Sequence, residues 1–161
     1  MKKVKTLALV AHDNRKQDMI EWVEWNYKLI LTHKIVCTGT TGMLIEKALI
    51  KKITKDNSKE KISSIKKLKS GPLGGDQQLG ALISEGKIDI LIFLWDPMEP
   101  QPHDVDVKAL LRIAALYNIP IASNRSTADF IISSSLFNSE YTPVLKDYSG
   151  YLKRDVVKKI V

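Results

Sequence analysis

The sequence has few cysteines and histidines and no long apolar run, features that disulfide-stabilised, zinc-binding and membrane-spanning proteins need. Among its 161 residues there are only one cysteine, Cys37, and three histidines. An internal disulfide is therefore excluded, and no spacing of histidine and cysteine indicates a zinc site. No run of about 18 apolar residues occurs, which argues against a transmembrane helix. A single cysteine is typical of a reducing compartment, so we expect a cytoplasmic protein. Because no metal-ligand spacing is present, we also expect no bound metal.

The amino terminus carries lysines followed by apolar residues, a pattern that superficially resembles a signal peptide. The apolar stretch 6–11 is shorter than the usual central region of about 7–15 residues, and polar residues follow it at once. We interpret this stretch as a buried strand.

The net charge of +7 could indicate a nucleic-acid-binding protein, but aromatic residues, which stack on bases, make up only 7% of the chain. The excess charge lies in one segment, 47–69, which contains nine lysines and only two acidic residues, Asp56 and Glu60. That segment has no aromatic residue on which a nucleic-acid base could stack. A solvated surface segment is therefore favoured over a basic patch that binds nucleic acid, although charge alone does not decide the function.

Short apolar runs alternate with longer amphipathic stretches along the whole chain. This alternation predicts a parallel sheet covered by helices on both faces, in one domain spanning 1–161. A lysine-rich insertion is expected at about 51–61, as a loop or a frayed helical extension. The predicted strands are 4–11, 35–37, 62–69, 88–95 and 119–122, and the predicted helices are 14–26, 41–50, 75–84, 105–117, 127–133 and 148–159.

Four polar clusters follow four of these strands, at 12–16, 38–42, 70–76 and 96–106. In an open parallel sheet, ligands bind at the carboxyl ends of the strands. The sequence therefore predicts that the clusters meet at one cleft.

The cluster TGTTG at 38–42 has the chemistry of an anion site. Glycines let backbone N–H groups turn toward an anion, and the following helix adds its positive end. Thr38, Thr40 and Thr41 supply hydroxyl donors, and Lys16 could reach the same anion. Taken alone, the cluster could equally be a capped helix start. No Walker or dinucleotide motif is present.

Asp76 ends the glycine-rich cluster SGPLGGD and begins a predicted helix. It could be an ordinary helix cap, or a carboxylate that acts as a general base beside an anion. Three glycines and a proline precede it, which favours the second interpretation.

The loop 96–106 contains three prolines, which restrict its backbone and could hold His103 in a fixed position beside Asp104 and Asp106. We therefore expect His103 to be catalytic. His33 has no such neighbours in the sequence and is interpreted as a surface residue.

These motifs resemble the methylglyoxal synthase family along nearly the whole chain and in the family's order. SGPLGGDQQ and the WDP and PHDVD segments are the specific ones, whereas TGTTG is not. The regulatory domain of carbamoyl phosphate synthetase shares the fold but is not expected to have the catalytic residues. The resemblance is carried by ALVAHDNRK (8–16), TGTTG (38–42), SGPLGGDQQLGALISEGKID (70–89), LIFLWDP (91–97), PHDVDVKALLR (102–112) and NIP with TADF (118–130).

The resemblance implies a three-layer α/β/α sandwich with a five-stranded parallel core sheet, assembled as a homohexamer. It implies an enzyme that converts dihydroxyacetone phosphate into methylglyoxal and inorganic phosphate without a cofactor, and that phosphate inhibits. Asp76 would be the base, with His103 and Asp106 around the enediolate. The implied phosphate or substrate contacts are His12, Lys16, Thr38, Thr40, Thr41, Ser70 and Gly71; Asp13 and Asp96 would be further polar site residues, and Arg154 a phosphate contact in a neighbouring subunit.

Two other functions stay open at this point. A regulatory module would bind a phosphorylated metabolite without turnover, and a nucleic-acid protein would depend on the lysines of 47–69. Neither would need Asp76 or His103.

Overall fold

The computed structural model describes residues 1–62, 64–99 and 104–153. Within them, five strands form one parallel sheet in the order β3-β2-β1-β4-β5. The predicted five-stranded parallel sheet is thus confirmed. The strands are β1 (Thr6–Ala11), β2 (Lys34–Cys37), β3 (Ile65–Lys67), β4 (Ile90–Leu94) and β5 (Ile121–Ala122).

Helices connect the strands, as parallel pairing requires. One of them was predicted with the bounds that the structure has, Gly75–Ser84. The helices are α1 (Lys16–Trp25), α2 (Tyr27–Ile30), α3 (Gly39–Lys55), α4 (Gly75–Ser84), α5 (Asp104–Leu116), α6 (Arg125–Ser133) and α7 (Ser149–Leu152).

Each face of the sheet is covered by its own helices. Along β1, Leu7 and Leu9 point into a core that includes side chains of α1, α3 and α6. Ala8 and Val10 point the opposite way, into a core that includes side chains of α4 and α5. This alternation follows from the two-residue period of a strand, and it confirms the three-layer arrangement.

Several elements differ from their predicted bounds, and α3 and β3 are two of them. α3 continues to Lys55 and so takes in the first residues of the predicted insertion. Its last turn contains Lys52 and Lys55, whose charges suit the negative end of a helix. The third strand is shorter than predicted, with three residues, and it lies at the edge of the sheet.

The strand order places the first strand in the middle of the sheet. From β1 the chain winds outward to β2 and β3, and then returns to the other side for β4 and β5. The reversal lies between β1 and β4, which is where open α/β sheets leave a crevice for ligands. Over the same described residues, no helix is long and apolar enough to cross a membrane.

Candidate active site

The connection after β1 supplies the first wall of the site. The backbone N–H of His12 donates to Leu94 O at 3.2 Å, which joins the ends of the two central strands. A 3₁₀ turn, Asp13–Arg15, then leads into α1, and Lys16 in the first turn of α1 forms an ion pair with Asp13. The hydrogen bond from Lys16, followed by its charge, lowers the pKa of Asp13. Asp13 is therefore ionised at neutral pH.

The connection after β2 supplies the second wall, which begins α3. Thr38 holds the position before the helix in an extended conformation, with φ −69° and ψ 152°. Within the described residues its hydroxyl makes no capping bond to α3, so capping does not account for the Thr38 side chain. Thr41 is buried and its Oγ1 donates to Ala11 O at 3.5 Å, whereas Thr40 is exposed. The amino end of a 17-residue helix therefore faces the end of β1.

The connection after β3 packs tightly against the one after β2. Gly39 N donates to Lys69 O at 3.1 Å, and a Cβ built on Gly39 would lie 3.2 Å from Ser70 N. At Gly75 a Cβ would lie 2.1 Å from Lys69 O, a distance that no side chain tolerates. Gly39 thus lets the two turns approach closely enough to place Ser70 and Gly71 beside the threonines, and Gly75 lets the turn after β3 fold closely on itself.

Asp76 follows Gly75 in the first turn of α4. The position before the helix belongs to Gly74, whose φ of +94° is left-handed, so Asp76 is not the cap residue. Its side chain is 4% exposed and lines the same cleft as the threonines. The interpretation of Asp76 as an ordinary cap is therefore wrong.

Three of the four predicted clusters meet in one cleft of about 330 Å³ at the carboxyl ends of the strands. That size suits a small ligand. The cleft combines a buried carboxylate, hydroxyl donors, a lysine and a helix amino end. The predicted site residues that line it are His12, Asp13, Lys16, Thr38, Thr40, Thr41, Ser70, Gly71 and Asp76.

Known proteins are similar to this chain in sequence and in fold. The model of the MGS-like domain family matches residues 18–123. The methylglyoxal synthase of Maridesulfovibrio salexigens is 56% identical over 155 residues, which are 96% of this chain and 99% of that protein. The enzyme of the same name from Hahella chejuensis is 52% identical over 156 residues, 96% of this chain and 93% of its own. The chain belongs to the methylglyoxal synthase family.

A solved structure extends this likeness to three dimensions. The crystal structure of methylglyoxal synthase from Elizabethkingia anophelis matches with a TM-score of 0.85 and 47% identity, covering 97% of this chain and 95% of that one. Membership of the methylglyoxal synthase family makes the chain an enzyme of the lyase class.

Asp96 lies at the edge of this arrangement, after β4. Among the described residues it is not part of the cleft lining. It is 8% exposed, and its carboxylate accepts hydrogen bonds from Met98 N at 3.0 Å and Asn14 Nδ2 at 3.2 Å. The bond from Met98, then that from Asn14, lowers the pKa of Asp96. Asp96 is therefore ionised at neutral pH.

Of the three remaining predicted site residues, only Asp106 lies in the part of the chain that the structure describes. Asp106 is half-buried in the first turn of α5 and does not line the cleft. His103 and Arg154 lie outside the described residues. The roles of all three stay predictions. In the described ranges, no group of three histidine, cysteine or acidic side chains is arranged to hold a metal ion.

The sequence did not indicate the apolar side of the cleft. Val10, Ala11, Pro72 and Phe93 line it, and the ring of Phe93 meets that of His12 edge to face at 5.2 Å. Val10, Ala11 and Phe93 belong to strands for which the sequence predicts only buried core residues. Their place at the carboxyl end of β1 and β4 is the signal that could have identified them.

Proposed function

We propose that this cleft converts dihydroxyacetone phosphate into methylglyoxal and inorganic phosphate. The observation that carries the proposal is the position of Asp76, a buried carboxylate that shares one cleft with a set of anion-binding groups. If those groups bound the phosphate of the substrate, the three carbon atoms of the substrate would lie against the carboxylate.

The phosphate end of the substrate is assigned to the turns after β2 and β3. Backbone N–H groups at the amino end of α3 would donate to the phosphate, assisted by the positive end of the helix. The hydroxyls of Thr38, Thr40 and Ser70 add donors, and Lys16 adds a positive charge from the facing wall. Lys16 has a 19% exposed side chain, so its charge is only partly screened by water.

The carbon end of the substrate is assigned to Asp76. The carboxylate removes a proton from the hydroxymethyl carbon, and the C–H electrons move into an enediolate. Hydrogen-bond donors stabilise the negative oxygen that forms, a role assigned by family resemblance to His103 with Asp106. Asp76 takes up one proton in this step, so charge and atoms balance.

Elimination of phosphate follows from how the phosphate is held. The enediolate electrons expel phosphate when its C–O bond stands perpendicular to the enediolate plane, because only then do the orbitals overlap. The cradle formed by Thr38–Thr41 and Ser70 fixes that angle as well as binding the anion. The enol that is released takes a proton on carbon and becomes methylglyoxal.

The same groups explain why phosphate would inhibit the enzyme. Inorganic phosphate is a product and fits the cradle without the carbon body, so it competes with the substrate. We further propose a homohexamer located in the cytoplasm, in which Arg154 contacts the phosphate in a neighbouring subunit. These assignments rest on the family resemblance.

The variant Asp76→Asn tests the proposed base. It keeps the size of the side chain but cannot accept the proton, so we expect the turnover number to fall about 10³-fold. Inorganic phosphate should bind with unchanged affinity, since the cradle is untouched. Methylglyoxal and phosphate release would be measured with dihydroxyacetone phosphate in the presence of a chelator.

Asp56→Asn is the matched control, because Asp56 follows the far end of α3 and pairs with Lys52 at 3.1 Å. It should leave turnover unchanged. If Asp76→Asn retains turnover within tenfold of the unsubstituted enzyme, Asp76 is not the base. If the unsubstituted enzyme binds phosphate but forms no methylglyoxal, the chain acts as a binding module instead.

A further inference from the structure

Two hydrogen bonds link three residues that follow the carboxyl ends of β1 and β4. Asn14, in the 3₁₀ turn after β1, donates from Nδ2 to Asp96 Oδ2 at 3.2 Å. The backbone N–H of Asp96 in turn donates to His12 Nδ1 at 3.4 Å. His12 is 6% exposed and lines the cleft, whereas Asn14 does not.

We propose that Asn14 is a positioning residue that acts through Asp96 to hold His12 in one tautomer, with the ring proton on Nε2. This inference rests on the proposed function of the cleft. It assigns a role to a residue that touches neither the substrate site nor the phosphate groups.

The tautomer follows from the hydrogen bond at Nδ1. A neutral imidazole has one nitrogen that donates and one that accepts. Nδ1 of His12 accepts from a backbone N–H, which can only donate, so the proton of the neutral ring is on Nε2. The ring of Phe93, edge to face at 5.2 Å, restricts the plane in which His12 lies. His12 is therefore set up as a donor on the wall of the cleft.

Asn14 acts on His12 by fixing the turn that carries Asp96. Asp96 Oδ1 is held by Met98 N at 3.0 Å, and Asn14 holds the other oxygen. With both oxygens bound, the side chain and backbone of Asp96 keep one orientation, and its N–H stays directed at the His12 ring. The pKa of Asp96, lowered by these two bonds, keeps the carboxylate charged and the bonds strong.

A fixed tautomer matters for the proposed reaction because negative charge develops on a substrate oxygen. An Nε2–H group would donate to such an oxygen, whereas the other tautomer would present a lone pair to it and raise its energy. Loss of the correct tautomer should therefore lower turnover more than substrate binding.

The variant Asn14→Leu removes the donor while keeping the branched shape and the number of heavy atoms of the side chain. We expect kcat to fall about tenfold while KM changes less than about threefold. In the ¹⁵N spectrum of histidine-labelled protein, His12 should show a protonated Nε2 before substitution and a mixture of tautomers in Asn14→Leu. The chain has only three histidines, and His12→Gln identifies the signal.

Gln17→Leu is the matched control, because it removes a side-chain amide from the neighbouring helix α1, where the exposed Gln17 Nε2 donates to Glu21 Oε1 at 3.0 Å. It should change neither kcat nor the His12 signal. Asn14→His should restore both, because its Nδ1–H stands at the place of the asparagine amide nitrogen. Asn14→Asp, whose ionised carboxylate cannot donate and lies against that of Asp96, should reproduce the loss at alkaline pH even if Asn14→Leu folds poorly.

The proposal is overturned if His12 keeps its Nε2–H signal and kcat stays within twofold in Asn14→Leu or, should that variant not fold, in Asn14→Asp. It is also overturned if Asn14→His is as impaired as Asn14→Leu. The spectrum separates this outcome from failure of the proposed function, since the tautomer is observed even if no methylglyoxal forms.

Discussion

His33 shows how a single residue departs from what the sequence indicates. It was interpreted as a surface residue, and this was wrong: the side chain is 4% exposed at the amino ends of the strands. Its Nδ1 accepts from Lys5 N at 3.2 Å, and its ring meets Phe137 at 4.7 Å. Phe137 comes from beyond α6, so no local pattern around His33 could predict this burial.

The burial of His33 predicts a loss of stability in mild acid. Burial lowers the pKa of His33, the nearby Lys5 adds to this, and Asn138 and Asp89 oppose it. Above pH of about 6.5 neither the folded nor the unfolded chain protonates this residue. As the pH falls below that value, the unfolded chain takes up the proton first, so the free energy of unfolding decreases by up to about 1.4 kcal/mol per pH unit.

Urea denaturation at several pH values between 7.5 and 5.5 measures this effect, with His33→Gln as the comparison. The unsubstituted protein should lose more stability over that range than the variant. Equal losses in the two proteins would show that His33 does not cause the pH dependence.

At the scale of elements, the amino end of α4 is built around a close backbone contact. Gly75 lies where a Cβ would be 2.1 Å from Lys69 O, and its N–H donates to Ser70 O at 2.9 Å. This contact fixes the turn that carries Ser70 and Gly71, and it directs Asp76 into the cleft. The start of α4 therefore determines both the anion site and the proposed base.

Gly75→Ala should disrupt the backbone contact between the start of α4 and the turn that contains Lys69 and Ser70. The added methyl group would force Lys69 and Ser70 to shift, costing about 3 kcal/mol of stability and weakening phosphate binding. Gly80→Ala is the matched control in the same helix, where a Cβ would meet nothing within 4 Å. That change should stabilise the protein by up to about 1 kcal/mol. Chemical denaturation and phosphate titration measure both effects, and equal stability of the two variants would contradict the assigned contact.

At the scale of the whole molecule, the proposed hexamer has a consequence for mixed assemblies. If Arg154 completes the phosphate site of a neighbouring subunit, Asp76→Asn and Arg154→Gln would each be inactive alone. Assembled together, some sites would pair an intact Asp76 with an intact Arg154, so part of the activity should return. The two variants would be mixed after dissociation and reassembly, and the methylglyoxal formed would be measured.

Light scattering on the mixture establishes whether six chains are present. Activity that never exceeds the sum of the separate variants, in a confirmed hexamer, would contradict a shared site. A monomeric protein with full activity would contradict the hexamer itself.

Local sequence patterns were enough to predict most of the strands and helices, the polar residues at their ends and the family. Apolar runs and helical periodicity are local properties, so the strands and the bounds of α4 could be predicted from them. Local patterns also indicated three polar clusters, at 12–16, 38–42 and 70–76, that line one cleft.

Which of those groups come within reach of one another depends on how the chain folds in three dimensions. The order of the strands places β1 beside both β2 and β4, and that neighbourhood joins Asn14 to Asp96 across 82 positions of sequence. The folded structure also buries Asp76 in the cleft, at a position in α4 that is not the helix cap. Because parallel strands are joined by crossover connections, residues far apart in sequence become neighbours only when the sheet is assembled.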